Sequence, residues 1–168
     1  PDIVHVSGDV YAVAYRRDND DDGYMRTFTI DSAGTIGSNI DTTEFDGSNC
    51  YRPNILHVSG DVFAIAYRGP GSDGWIRTID IDSAGNIGSS IDTFAFEQGD
   101  TVEPSIVHIS GDVYAVAYRR DSDDDGWMKT FEIESDGDIA STYIDSYEFD
   151  EDNCRMPKMM SIYGDYYA

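Results

Sequence analysis

An all-β fold built of four-stranded antiparallel units is what this sequence predicts, on three observations. The pattern Pro-x-x-x-His-x-Ser-Gly-Asp begins at Pro1, Pro53 and Pro104, and a partial fourth copy begins at Pro157, giving spacings of 52, 51 and 53 residues. Each copy holds four segments rich in β-branched and aromatic residues, bounded by Gly, Asp and Ser. No segment sustains a helical period, and no connection is long enough for a parallel crossover. The copies span 1–52, 53–103 and 104–156, with the start of a fourth over 157–168.

In the first copy the predicted strands are Ile3–Ser7, Val10–Arg16, Tyr24–Asp31 and Ile40–Asp46. Ser7-Gly8-Asp9 leaves room only for a tight hairpin between the first two. Asp31-Ser32-Ala33-Gly34 joins the last two, its glycine suited to the left-handed position of a type I turn with a bulge. The second strand is the most telling. Val10-Tyr11-Ala12-Val13-Ala14-Tyr15, with its counterparts at Val62–Tyr67 and Val113–Tyr118, is apolar on both faces, and one face carries alternating alanines. A sheet with one wet face would alternate apolar with polar, so this strand must be covered on both sides, and alanine lets the neighbouring sheet come close. A unit of about 50 residues is too small to bury both faces alone, so the core lies between copies. Such a unit, stacked against copies of itself, is a β-propeller blade.

The chain resembles four-stranded β-propeller repeat proteins, and its near-identical copies are similar to the highly repetitive propeller-type surface proteins of prokaryotes, archaea included. That resemblance implies an extracellular or cell-surface location and a structural or adhesive role. The Gly-His and Trp-Asp pairs of WD repeats are absent. Ser122–Gly126 reads S-x-D-x-G like an Asp-box, but Trp127 follows it immediately. A closed propeller takes about 4–8 blades, so the expectation is that these copies belong to a longer array or to a ring of several chains.

The formal net charge is −22, carried by 26 Asp and 7 Glu against 11 Lys and Arg. Nucleic acid is excluded as an expected partner, because phosphate binding needs clustered Lys and Arg. No stretch approaches the ~20 apolar residues of a membrane-spanning helix. Turn chemistry, cation binding and solvation in saline surroundings are the candidate causes of the Asp excess.

Two of those aspartate clusters have a spacing that carries chemistry. Asp18-Asn19-Asp20-Asp21-Asp22-Gly23 and Asp121-Ser122-Asp123-Asp124-Asp125-Gly126 both match D-x-D-x-D-G. Carboxylates at alternate positions can converge on a hard cation, and the glycine supplies the bend. The candidate calcium ligands are therefore Asp18, Asp20 and Asp22, and Asp121, Asp123 and Asp125, with Glu132 at the twelfth position of the second loop; Thr29 stands there in the first. The resemblance is to calcium loops in strand-turn-strand contexts, as in integrin-type propeller blades, although Arg26 and Lys129 occupy the ninth position. An acidic, solvated turn without metal is the competing reading. The second copy's Gly69-Pro70-Gly71-Ser72-Asp73-Gly74 lacks the motif and should bind nothing.

His5, His57 and His108 recur in register and are expected to bond side chains such as Ser7 and Asp9, or a neighbouring blade; a metal or pH-sensing ring is the rival reading. Arg16, Arg68 and Arg119 are expected to partner the turn aspartates. Tyr24, Trp75 and Trp127 open the third strand, either packing at the blade edge or stacking on a sugar ring. Cys50 and Cys154 share one repeat position and are expected to be unpaired. With no unique nucleophile, base or cofactor motif, the sequence reads as a non-enzymatic, calcium-stabilised repeat. Glycans or other copies of itself are its expected partners, in the roles of a multivalent lectin or a self-assembling filament.

Overall fold

The computed structural model describes residues 1–163 and 166–167. Sheet I comprises β1 (Asp2–Ser7), β2 (Val10–Arg16), β3 (Gly23–Ile30) and β4 (Ile36–Asp46). Sheet II comprises β5 (Tyr51–Ser59), β6 (Val62–Arg68), β7 (Gly74–Ile81) and β8 (Ile87–Glu97). Sheet III comprises β9 (Thr101–Ser110), β10 (Val113–Arg120), β11 (Gly126–Glu132) and β12 (Asp145–Asp150). Within each sheet the strands lie in chain order and pair antiparallel. A hairpin of β13 (Ser161–Tyr163) and β14 (Tyr166–Tyr167) opens the fourth copy, and one 3-10 turn, Pro70–Ser72, lies in the second.

The turns are made as their residues require. Gly34 takes φ 82°, its N–H donates to the Asp31 carbonyl at 2.8 Å, and Asp31 Oδ1 accepts from Ala33 and Thr35 N–H. Because that turn is tight, pairing resumes at once as Ile30↔Ile36, and β4 starts four residues earlier than the sequence predicts.

The double-faced second strands explain the core. Ala12 and Ala14 of β2 share a cluster with Phe63, Ile65 and Tyr67 of β6, and Ala64 and Ala66 of β6 share the next with Tyr114, Val116 and Tyr118 of β10. One face of each second strand is small and the other bulky, so the bulky face of each sheet fills the space that alanine leaves in the sheet before it.

Polar bonds between sheets recur at the repeat spacing. Asp2 Oδ2 accepts from Ile55 N–H at 3.0 Å, Asn54 Oδ1 from Ile106 N–H at 2.8 Å, and Ser105 Oγ from Met159 N–H at 3.2 Å. Thr27 Oγ1 donates to Gly85 O and Thr78 Oγ1 to Gly137 O, both at 2.6 Å. Asp41 Oδ2 accepts from Ile87 N–H and Asp92 Oδ2 from Ile139 N–H, both at 2.9 Å. The first strands β1, β5 and β9 lie side by side. Among the described residues no helix is long and apolar enough to cross a membrane.

Candidate functional site: the acidic loop face

The connection between the second and third strands of each sheet lies on the same side as the link into the next sheet. Cys50 N–H donates to Asp21 O and Cys154 N–H to Asp124 O, both at 2.8 Å. Packing fixes this junction. A Cβ built on Gly23 would meet the Phe45 ring at 2.7 Å and the Cys50 Cβ at 3.0 Å, and one on Gly126 would meet Phe149 and the Cys154 sulfur. A glycine is therefore needed at the start of the third strand, whatever the loop before it does. Cys50 and Cys154 are buried free thiols, and burial pushes the Cys50 thiol up to about 12, so it packs as a small apolar residue.

The two D-x-D-x-D-G loops fold alike. Arg17 N–H donates to Asp22 O at 3.0 Å, and Arg120 N–H to Asp125 O at 2.9 Å. Asp21 and Asp124 take φ 67° and 64°, a left-handed conformation aspartate tolerates. The carboxylates then meet guanidinium groups. Arg16 holds Asp18 at 3.2 Å and also Asp21, and Arg17 Nε donates to Asp20 Oδ2 at 2.9 Å. In the third copy Arg119 holds Asp121 at 2.9 Å and also Asp124, while Arg120 Nε donates to Asp123 Oδ2 at 2.9 Å. These bonds hold the Asp20 and Asp123 carboxyls below their usual range. The expectation that the repeated arginines partner the turn aspartates thus has its geometry, and Arg68 donates to Ser72 Oγ at 2.6 Å in the second copy.

Asp22 and Asp125 face strand four instead. Partial burial, followed by the charges of Asp20 and Glu44, pushes the Asp22 carboxyl up. A hydrogen bond with Asp125 pushes the Glu148 carboxyl up. Glu44 also accepts from Tyr24 OH at 2.5 Å, which pushes the phenol up to about 12. Sequence reading missed Glu44 and Glu148. Its usable signal was co-variation inside the chain, since copies one and three place Glu opposite Tyr24 and Trp127, and copy two places Ala95 opposite Trp75.

Glu132 stands apart from its loop. It closes the seven-residue β11 and pairs with Val113, so at ~3.3 Å per residue it lies about 20 Å from Gly126. Among the described residues no group of three or more His, Cys, Asp and Glu side chains is arranged to hold a metal ion. In this arrangement the guanidinium groups of Arg16, Arg17, Arg119 and Arg120 hold four of the six candidate loop ligands, Asp18, Asp20, Asp121 and Asp123.

The aromatic rings beside the loops carry the same guanidinium groups on their faces. Arg17 lies 3.9 Å from the Tyr24 ring centre and Arg120 4.6 Å from that of Trp127. The histidines bond differently from expectation. His5, His57 and His108 Nε2 each lie 2.8 Å from the carbonyl of Gly8, Gly60 and Gly111, three residues on, because the tight hairpin turns that carbonyl toward the ring.

A cleft between the first strands is another concave site. About 550 Å³ is enclosed by repeat-equivalent residues of the four copies, Asp2, Asn54, Ser105 and Lys158 among them. Arg52, Glu103 and Met156 at its rim each precede a proline at positive φ, and Arg52 and Glu103 form an ion pair at 2.9 Å. No family model matches the chain, and no curated protein matches it.

Proposed function

We propose that the chain is a non-enzymatic structural or adhesive element of an extracellular or cell-surface protein, its three sheets being successive blades of a β-propeller. One observation carries this reading: the bonds between sheets recur at the repeat spacing, from Asp2 to Ile55, Asn54 to Ile106 and Ser105 to Met159 along the first strands. A site that recurs by register in every copy suits a scaffold better than a catalytic centre, which draws different groups together at one place.

Calcium belongs to this reading as a competitor of the guanidinium groups. A divalent cation that displaces Arg16 and Arg17, and Arg119 and Arg120, would gather Asp18, Asp20 and Asp22, and Asp121, Asp123 and Asp125, on backbone loops already bent at Gly23 and Gly126. Thermal unfolding in calcium and in EDTA tests it. A rise in melting temperature with calcium that EDTA reverses supports the reading, and indifference to both removes calcium from it.

A further inference from the structure

The chain repeats its hairpins, histidines and prolines faithfully, yet around those prolines its chemistry changes from copy to copy. Two residues before the proline stand Tyr51, Val102 and Arg155; one before, Arg52, Glu103 and Met156; one after, Asp2, Asn54, Ser105 and Lys158. The fold brings these unlike residues together. Arg52, Glu103 and Met156 line two adjoining clefts, one of about 280 Å³ that Arg119 and Arg155 complete, and the one of about 550 Å³ that reaches Lys158. Sites for small ligands run to about 300–1,000 Å³. Arg52, Glu103 and Met156 also hold φ of 50°, 57° and 48°, a costly conformation for such residues and one that collects at ligand sites.

Charge sets this place apart. In a chain of 33 acidic and 11 basic residues, the smaller cleft has three guanidinium groups and one carboxylate. That carboxylate is engaged, since Glu103 pairs with Arg52 at 2.9 Å and accepts from Met156 N–H at 2.5 Å. Arg119 is held by the loop carboxylates Asp121 and Asp124. Arg155 is exposed, and among the described residues no ion pair or hydrogen bond holds it. The junction of copies one and two shows a different occupant of its position. There Tyr51 offers its ring to two guanidinium groups, Arg16 at 4.4 Å and Arg68 at 5.4 Å. Arg16 and Arg119 are repeat equivalents, so Arg155 sets a cation beside Arg119 where Arg16 meets a ring. Sheet II, complete beyond the first junction, brings it Arg68; cover by a following sheet adds positive charge there. Lys158 breaks the pattern in the larger cleft. Asp2, Asn54 and Ser105 each accept a backbone N–H of the next copy, which an ammonium, having only donors, cannot do.

We infer that these adjoining clefts bind a small organic anion of sugar size, Arg155 holding its carboxylate, Lys158 adding charge, and the body of the ligand lying against Pro104, Pro157 and Met156. A guanidinium fork matches the two oxygens of a carboxylate, and a concave site concentrates the field of its cations. A repeat that keeps its other features in register has here one place where each copy contributes a different group, as a ligand site requires. The inference gives the adhesive role a ligand chemistry, and it rests on these junction residues alone, not on calcium or location.

Calorimetric titration of the full chain in EDTA and low salt tests it, with glucuronate, glucose and inorganic sulfate as probes. Glucuronate should bind, more weakly as sodium chloride rises, and glucose, which lacks the carboxylate, should not. No binding of glucuronate, or equal binding of glucose, overturns the inference. Sulfate binding as tightly as glucuronate overturns the role given to the body of the ligand. Arg155→Tyr, which installs the residue of the first junction, should keep the circular dichroism spectrum and weaken glucuronate by about tenfold or more. Arg26→Ala, which removes an exposed cation of sheet I, should leave the affinity unchanged. Equal losses in these two variants overturn the site, because they would report net charge alone. Lys158→Met should also weaken binding, and an unchanged affinity takes the lysine out of the site. Because EDTA is present throughout, failure here leaves the calcium reading untouched.

Discussion

Among the described residues the second strand of sheet II is covered on both faces and that of sheet I on one, although both share one sequence pattern. Val62–Tyr67 is buried from end to end, while Tyr11, Val13 and Tyr15 at the same repeat positions are only half-buried. The difference teaches that burial here depends on a residue's neighbour rather than its type. Equivalent residues are therefore internal controls, with similar chemistry and local backbone and different cover.

The largest expected effect sets Val116 against Val13. Val116 is fully buried against sheet II, so Val116→Ala should cost about 2–3 kcal/mol, the lost transfer energy plus the cavity it leaves. The same change at Val13 should cost under ~1 kcal/mol in dilute solution, since solvent can fill the space. Denaturant titration of the two variants measures the gap. Equal losses would mean that sheet I is covered in solution. A gap that narrows as concentration rises would point to cover by another molecule.

Next in size is the buried threonine. Thr78 Oγ1 donates to Gly137 O and accepts from Asp92 N–H at 3.1 Å, so Thr78→Val strands two buried backbone groups and should cost about 1–3 kcal/mol. Thr130→Val, at the equivalent position, which is only half-buried, should be nearly neutral. Thermal unfolding of the two single variants is the measurement, and a costly Thr130→Val would break the comparison.

Acid should separate Glu97 from Glu148. Burial pushes Glu97 up, but the bonds from Tyr118 and Lys129 outweigh it, and the carboxyl sits below the usual glutamate range. Its contribution is present above that range and is lost as pH falls through its folded pKa. Glu148 is pushed up by Asp125, so it has the opposite sign: it costs stability at neutral pH, and the cost is relieved as pH falls through its raised pKa. Melting temperature should therefore rise from neutral to mildly acidic pH and fall below the ordinary carboxylate range. Glu148→Gln should flatten the rise, and Glu97→Gln should flatten part of the fall.

What the sequence made legible follows from how local each cause is. Repeat, strand order and hairpins were readable because turn residues and period-two patterning act within a few residues, and β2 begins and ends at the predicted residues. The alternating alanines even foretold close sheet packing. The bonds of the acidic loops were half legible. The pairing of arginines with turn aspartates needed only adjacency in sequence. The meeting of Asp125 with Glu148 depends on the register of β11 against β12, and that register is slipped at Gly126 and Trp127 by a bulge no sequence pattern announced. Glu132 shows the converse: a spacing that fits a helix-flanked calcium loop carries the twelfth residue away when an extended strand follows.

The smallest expected effect lies in the loops themselves, where copies one and three differ from copy two in sequence as well as in cover. Arg120 is only partly exposed, lying across Trp127 and bonding Asp123, and Arg120→Ala should cost about 0.5–1 kcal/mol without calcium. If these loops take calcium, the guanidinium is a competitor, and its removal should do two opposite things. The variant should melt lower than the parent in EDTA, and it should bind calcium more tightly by calorimetric titration, with calcium returning the lost stability. The same must hold for Arg17→Ala, because its loop repeats the bonds of the other. Arg68→Ala, whose loop offers Ser72 and Asp73 and no alternating carboxylates, should gain no affinity. A variant pair that loses stability and gains no calcium would assign Asp18, Asp20, Asp121 and Asp123 to the arginines, leaving each loop as an ion-paired turn and the repeat as a scaffold held without metal.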